Sequence, residues 1–231
     1  MMEDSIAAGL TLVRENVKRA AQRAGRDPSG IKLVAVTKTV GPDAAKRAID
    51  LGVTALGENR VQEILAKGPL LPGGIEWHLI GTLQTNKVKP IIGRVNLIHS
   101  LDRWHLAEEI SRRSVEAGLA SGVLVQVNVS GEETKSGLSP EEVADFIKDA
   151  LSLPGLTIKG LMTIAPYVDN PEEVRPVFKE LRLLSENIKS KISSVELDCL
   201  SMGMTNDYTV AVEEGANIIR VGTAIFGKRK Y

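Results

Sequence analysis

The chain has 231 residues, 43% of them hydrophobic, enough to fill one large core, and no linker or low-complexity stretch divides it, so one domain over 1–231 is expected. Its 29 basic and 29 acidic residues cancel, which excludes the net basic field that draws a protein to nucleic acid or an anionic membrane and points to a small-molecule partner. One cysteine, Cys199, excludes an internal disulfide and a multi-cysteine metal cluster; with an acidic start at Glu3 and Asp4 and no apolar run of about 18 residues, it predicts a cytoplasmic protein.

In chain order, residues 4–24 carry Ile6, Leu10, Val13, Val17, Ala20, Ala21 and Ala24 at helical spacing, with Asp4 able to cap and Gly25 to stop the helix. The apolar, β-branched run Ile31–Thr37 then reads as a strand buried on both faces, ending at Lys38. A helix over 42–51 follows, then a strand over 53–56 and a helix over 61–66. A strand over 76–80 leads to a helix over 86–92, and a strand over 95–98 leads to a long helix over 102–117. The fifth strand spans 123–129. Ser139, Pro140, Glu141 and Glu142 announce the next helix, since a hydroxyl, a proline and acidic side chains all suit the first turn. A strand over 157–162 precedes a second start of this kind at Asn170-Pro171-Glu172-Glu173, for a helix to about Lys189. Strand seven covers 195–200, a short helix 208–214 and strand eight 217–221.

Eight strands alternating with helices imply a parallel sheet, and eight is the number that closes an α/β barrel of the TIM type, a (β/α)8 barrel here with an additional N-terminal helix. An open doubly wound sheet is the alternative. In a barrel, the residues leaving each strand at its C-terminal end meet at one mouth: Lys38; Glu58 and Asn59; His78; His99 and Ser100; Asn128; Met162 and Thr163; Ser201 and Met202; Arg220, Gly222 and Thr223.

The last two units are the most specific. Ser201-Met202-Gly203-Met204-Thr205 and Arg220-Val221-Gly222-Thr223-Ala224 place small and hydroxyl-bearing residues with free amides side by side, the parts of a phosphate cradle. Arg220 can add a charge-assisted bond to the phosphate or to a ring nitrogen. A lysine partly desolvated in the same mouth acquires a lowered pKa and can form a Schiff base with a carbonyl. A phosphorylated aldehyde satisfies both ends, and pyridoxal 5'-phosphate (PLP) is such a molecule.

The segments VAVTK, LGENRVQE, WHLIGTLQTNK, HSLD, GLMTI, LSMGMTNDY and IRVGTAIFG, spread from Lys32 to Gly227, resemble those of the pyridoxal phosphate homeostasis proteins, a barrel family similar to the N-terminal domain of alanine racemase. The resemblance implies that Lys38 holds PLP as a Schiff base, that Ser201, Gly222 and Thr223 with nearby amides hold the phosphate, that Arg220 lies near the pyridine nitrogen, and that Asn59, His78 and Met162 line the ring pocket; Met202 joins this set as part of the loop after strand seven. An always-cationic guanidinium beside that nitrogen disfavours its protonation and mutes the ring as an electron sink.

Two functions remain in view. One is a PLP carrier of intracellular vitamin B6 and amino-acid homeostasis that buffers cofactor and passes it to PLP-dependent apoenzymes, with free amino acids as further partners. The other is a PLP-dependent enzyme of the alanine racemase type; its second proton-transfer base would come from a C-terminal β-domain, for which the chain as given has no room. A Schiff-base aldolase acting on sugar phosphates would need a dedicated acid/base beside Lys38. Histidines 78 and 99 lack metal-ligand spacing, and a hydrogen-bonded place in the barrel wall is the expectation for them. Cys199 reads as a packed thiol. Lys135 reads as a solvated loop lysine able to face the mouth, and the tail Lys228-Arg229-Lys230 reads as solvated, able to guide an anion inward.

Overall fold

The computed structural model describes residues 2–132 and 134–227; Glu133 and the Lys228-Arg229-Lys230 tail lie outside them. Eight parallel strands close into a barrel in chain order: β1 (Lys32–Val36), β2 (Ala55–Glu58), β3 (Glu76–Leu79), β4 (Leu97–Leu101), β5 (Ser121–Gln126), β6 (Leu156–Met162), β7 (Cys199–Ser201) and β8 (Ile218–Val221). Around it pack α1 (Met2–Arg23), α2 (Pro42–Asp50), α3 (Val61–Lys67), α4 (Trp104–Glu116), α5 (Val143–Ala150), α6 (Arg175–Lys191), α7 (Tyr208–Glu213) and α8 (Thr223–Phe226). The seam is the pairing of β8 with β1, where Val34 stands opposite Arg220 and Ala35 opposite Val221.

Residues alternate along each strand between two cores, as the pleat requires. Ala35, Leu56, Leu79, Ile98, Val125, Leu161 and Ile219 face the helices, where they meet Phe178, Leu106, Ile110 and Ile147. Val34, Ala55, Leu97, Leu124, Met162 and Ile218 form a smaller cluster inside the barrel.

Several boundaries differ from those expected, each for a local reason. The segment 86–92 forms two short turns, Thr85–Lys87 and Lys89–Ile91, not a helix, because Pro90 has no N–H to give and its ring collides with the preceding turn. Strand two starts at Ala55 and not Val53, since Val53 N–H bonds Ala48 O and Gly52 N–H bonds Ile49 O, so both residues close α2 around the left-handed Gly52. Helix α5 begins at Val143 because the Glu142 carboxylate accepts both the Ser139 N–H (2.9 Å) and its hydroxyl (2.8 Å), leaving Ser139 in a preceding turn. Strand four runs later than expected, strand five ends earlier and strand seven is only three residues long.

Helix α1 lies across the seam. Its Gly9 sits so close to α8 that an added Cβ would stand 2.5 Å from Ala224 O and 3.1 Å from Ile225 Cα. Among the described residues no helix is long and apolar enough to cross a membrane. Gly9→Ala sets about 1 kcal/mol of gained helix propensity against a collision with unyielding backbone worth about 1–3 kcal/mol. The collision is expected to win, so urea unfolding of Gly9→Ala should show a lower midpoint than wild type; a higher one would mean that α1 slides freely.

Candidate functional site

Strand β1 delivers Lys38 through a tight turn. Thr37 N–H continues the sheet by bonding Gly57 O at 3.0 Å, and Val40 N–H folds back onto Thr37 O at 2.9 Å. Thr39 is left-handed (φ 64°), a costly state for a β-branched residue that must be held from outside. The hold comes from α3. Lys67 Nζ donates to Thr37 O (2.8 Å), Glu58 Oε1 (2.7 Å) and Glu63 Oε2 (2.9 Å); Glu63 Oε2 also accepts Thr39 N–H (3.0 Å), and Thr37 Oγ1 donates to Glu58 Oε1 (2.6 Å). The backbone on both sides of Lys38 is thereby tied to one buried ammonium. Burial raises the Glu58 carboxyl above its ordinary range, outweighing its bonds to Lys67 and Thr37, and its Oε2 has no partner among the described residues. Burial would also raise Glu63, but its bonds to Lys67 and to the Thr39 amide prevail and hold it low.

Across the mouth, Arg220 is 4% exposed. Its Nη1 donates to Ser201 Oγ (2.6 Å) and its Nη2 to Thr163 O (2.8 Å), both neutral acceptors. Burial lowers its pKa to about 10, opposed by the Asp207 charge. Asp207 is itself raised by burial, and its Oδ1 is engaged by Met204 N–H at 2.6 Å. The loops after β7 and β8 touch, since Ala224 N–H reaches Thr205 Oγ1 at 3.4 Å.

Between these walls lies a cavity of about 470 Å³, within the range of small-ligand pockets. Lys38, Asn59, Arg220, Gly222 and Thr223 line it, with Gln126 and Asp207 as further polar groups and Ile80, Ile164 and Met204 as apolar ones. Its walls are backbone-tight: a Cβ on Gly222 would stand 3.1 Å from Val36 O, and one on Gly81 would stand 2.8 Å from Asn59 Cα.

The other expected residues lie below or behind the cavity lining. His78 and His99 are buried inside the barrel, bonded to each other (Nδ1 to Nε2, 2.8 Å), and His99 Nδ1 reaches Ser201 Oγ at 3.0 Å. The Ser201 hydroxyl is thus engaged by Arg220 and His99 beneath the cavity. Met162 belongs to the inner apolar cluster, two residues before the lining Ile164, and Met202 packs on the helix-facing side. Lys135 pairs with Glu132 (2.8 Å) and does not line the cavity. Cys199 is half-buried against the inner cluster, and burial pushes its thiol pKa up. Sequence reasoning passed over Gln126, Asp207, Lys67 and Glu63. Gln126 follows Leu124 on the inward face of β5, and Glu63 and Lys67 are an i,i+4 pair, so both signals were present.

The family model for the N-terminal domain of alanine racemase matches residues 10–230, which sets the class: an alanine racemase-type barrel with its cavity at the C-terminal mouth. Alanine racemase of Clostridium difficile 630 shares this fold (TM-score 0.73, 16% identity), with this chain covering 57% of it. Closer in sequence are a protein of Bifidobacterium adolescentis described as unknown (TM-score 0.92, 38% identity, 97% of this chain and 96% of that one) and PipY of Synechococcus elongatus PCC7942 solved with PLP bound (TM-score 0.80, 34% identity, 92% and 100%). The chain is 48% identical over 223 residues to the pyridoxal phosphate homeostasis protein of Aquifex aeolicus (96% of this chain, 97% of that one) and 35% identical over 233 residues to that of Escherichia coli K12 (99% and 98%). It belongs to the pyridoxal phosphate homeostasis protein family.

Two predictions follow from the buried charges. Lys67→Met strands two carboxylates and should cost about 3–5 kcal/mol in urea unfolding; a change below 1 kcal/mol would show that the cluster behaves as a surface pair. Burial lowers the His78 pKa from 6.5 to about 4, so between those values the unfolded chain binds the extra proton. Stability is therefore full above pH 6.5 and falls toward pH 4 by about 3 kcal/mol from this group. His78→Asn should flatten that slope, and an unchanged slope would contradict the assignment.

Proposed function

We propose that the cavity binds PLP and that the protein serves vitamin B6 homeostasis as a carrier, holding the cofactor reversibly and releasing it to PLP-dependent apoenzymes. The observation that supports this most is the joint lining of one cavity by Lys38, Arg220 and the Gly222-Thr223 turn: an amine, a buried cation bonded only to neutral acceptors, and a close-approach backbone. PLP supplies an aldehyde that condenses with an amine, a pyridine ring and a phosphate. Lys38 is the amine, held in place by the Lys67 cluster behind it. Arg220, donor-only, faces a ring-nitrogen acceptor and disfavours its protonation. Gly222 and Thr223 take the phosphate, Gly222 because its missing Cβ leaves the backbone accessible. Asn59 and Ile164 border the ring.

The carrier reading draws on the same geometry. A donor-only arginine at the ring nitrogen gives a weak electron sink, poorly suited to stabilising carbanions. The rim is also wet: Tyr167, on the cavity edge, is 82% exposed, and carbanion chemistry depends on excluding water. An open rim suits exchange.

Wild-type protein incubated with PLP and reduced with borohydride should gain one pyridoxyl phosphate mass on the peptide containing Lys38, while Lys38→Ala should gain none at that site. Undiminished labelling of Lys38→Ala would overturn the tether. Loaded wild-type protein should restore activity to an apoenzyme without detectable α-proton exchange of amino acids in deuterated water; exchange at enzymatic rates would reassign it as a racemase-type enzyme.

A further inference from the structure

We propose that Glu76, His78, His99 and Ser201 form a proton-ordered relay inside the barrel that positions the Arg220 guanidinium at the floor of the cavity. The links run in series. Arg220 Nη1 meets Ser201 Oγ at 2.6 Å, Ser201 Oγ meets His99 Nδ1 at 3.0 Å, His99 Nε2 meets His78 Nδ1 at 2.8 Å, and His78 Nε2 meets Glu76 Oε2 at 3.4 Å. Lys32 Nζ pairs with the same Glu76 oxygen. The line runs from Glu76, the first residue of β3, to Arg220 at the cavity.

The chemistry of the two ends fixes every proton between them. A guanidinium only donates, so the Ser201 oxygen accepts from Arg220 and its own proton turns to His99 Nδ1. A neutral His99 then carries its proton on Nε2 and donates to His78 Nδ1, and His78 carries its proton on Nε2, facing the carboxylate. The reverse order fails at both ends. It would set an unprotonated His78 nitrogen against a carboxylate oxygen, and it would leave the Ser201 hydroxyl proton without an acceptor in a place with no solvent. Both rings are buried, which keeps them neutral and preserves the order. The other charges acting on the line are Lys32 at Glu76 and Asp207 near Arg220, at its two ends.

The consequence is positional. Arg220 is tethered through both terminal nitrogens, to Ser201 and to Thr163 O, so its remaining donors are fixed against the cavity. The ordering belongs to the protein alone; its effect on a bound ligand rests on the function proposed above.

The test is nitrogen NMR of histidine-labelled protein without ligand, in which exposed His105 provides the signal of a solvated ring. At pH 7 both His78 and His99 should show an unprotonated Nδ1 and a protonated Nε2. A protonated Nδ1 on either ring, or a charged ring, overturns the relay. Ser201→Ala should release His99 into a mixture of tautomers, shift the visible absorbance maximum of bound PLP and raise its Kd about tenfold, the worth of one hydrogen bond to a charged group. Glu76→Gln, which keeps an acceptor oxygen, should preserve the tautomers that Glu76→Leu loses. An absorbance maximum and Kd unchanged in Ser201→Ala overturn the positioning role. Absence of PLP uptake by wild type would instead overturn the proposed function, while the ring signals still decide the relay.

Discussion

The mouth of this barrel depends on one seam. Strand β8 closes onto β1 with Val34 opposite Arg220, so the arginine lies beside the strand whose end carries Lys38, although the two are far apart in sequence. Gly222 follows two residues on, where an added Cβ would press on Val36. A slip of one residue in this pairing would turn Arg220 from the barrel interior to the helix layer. The seam therefore sets which groups share a cavity, and α1, pressed onto α8 at Gly9, covers it from outside.

The two groups that give the cavity its chemistry are supported from opposite sides of the wall. Lys38 is braced from the helix side, where Lys67 and two glutamates tie down the turn around it. Arg220 is braced from the barrel side, along the line of Ser201, His99 and His78. Buried polar groups of this kind are costly unless satisfied; among the described residues, the atom of these two clusters that lacks a partner is Glu58 Oε2. They add rigidity where apolar packing alone would hold neither side chain in a defined place.

Much of this architecture was legible in the sequence. The β-branched runs and their alternation with helices gave eight strands, because fully buried parallel strands leave near-continuous apolar segments. Lys38, Asn59, Arg220, Gly222 and Thr223 were placed at the mouth by the rule that strand C-terminal ends converge there, and all five line the cavity. What the pattern could not carry was direction. Ser201 and Met202 are neighbours and so face opposite sides, Ser201 the barrel interior and Met202 the helices, but a strand of three residues leaves too few positions to show in the sequence which face is which. Likewise His78 and His99 read as two separate strand-end residues, and it is the register of β3 against β4 that brings their nitrogens to 2.8 Å. Pro90 was visible throughout, and its effect on the expected helix followed from its missing N–H.

An anchored amine, a donor-only cation and a wet rim are the features on which the proposed carrier function rests. The proposed function requires that Lys38 and Arg220 grip the two ends of one ligand. A crystal structure of the protein soaked with PLP measures this directly. The expected result is continuous density from Lys38 Nζ to the former aldehyde carbon, with the ring nitrogen facing Arg220 and the phosphate at Gly222 and Thr223. Ligand bound away from Lys38, or a ring turned so that Arg220 meets the phosphate instead, would contradict it.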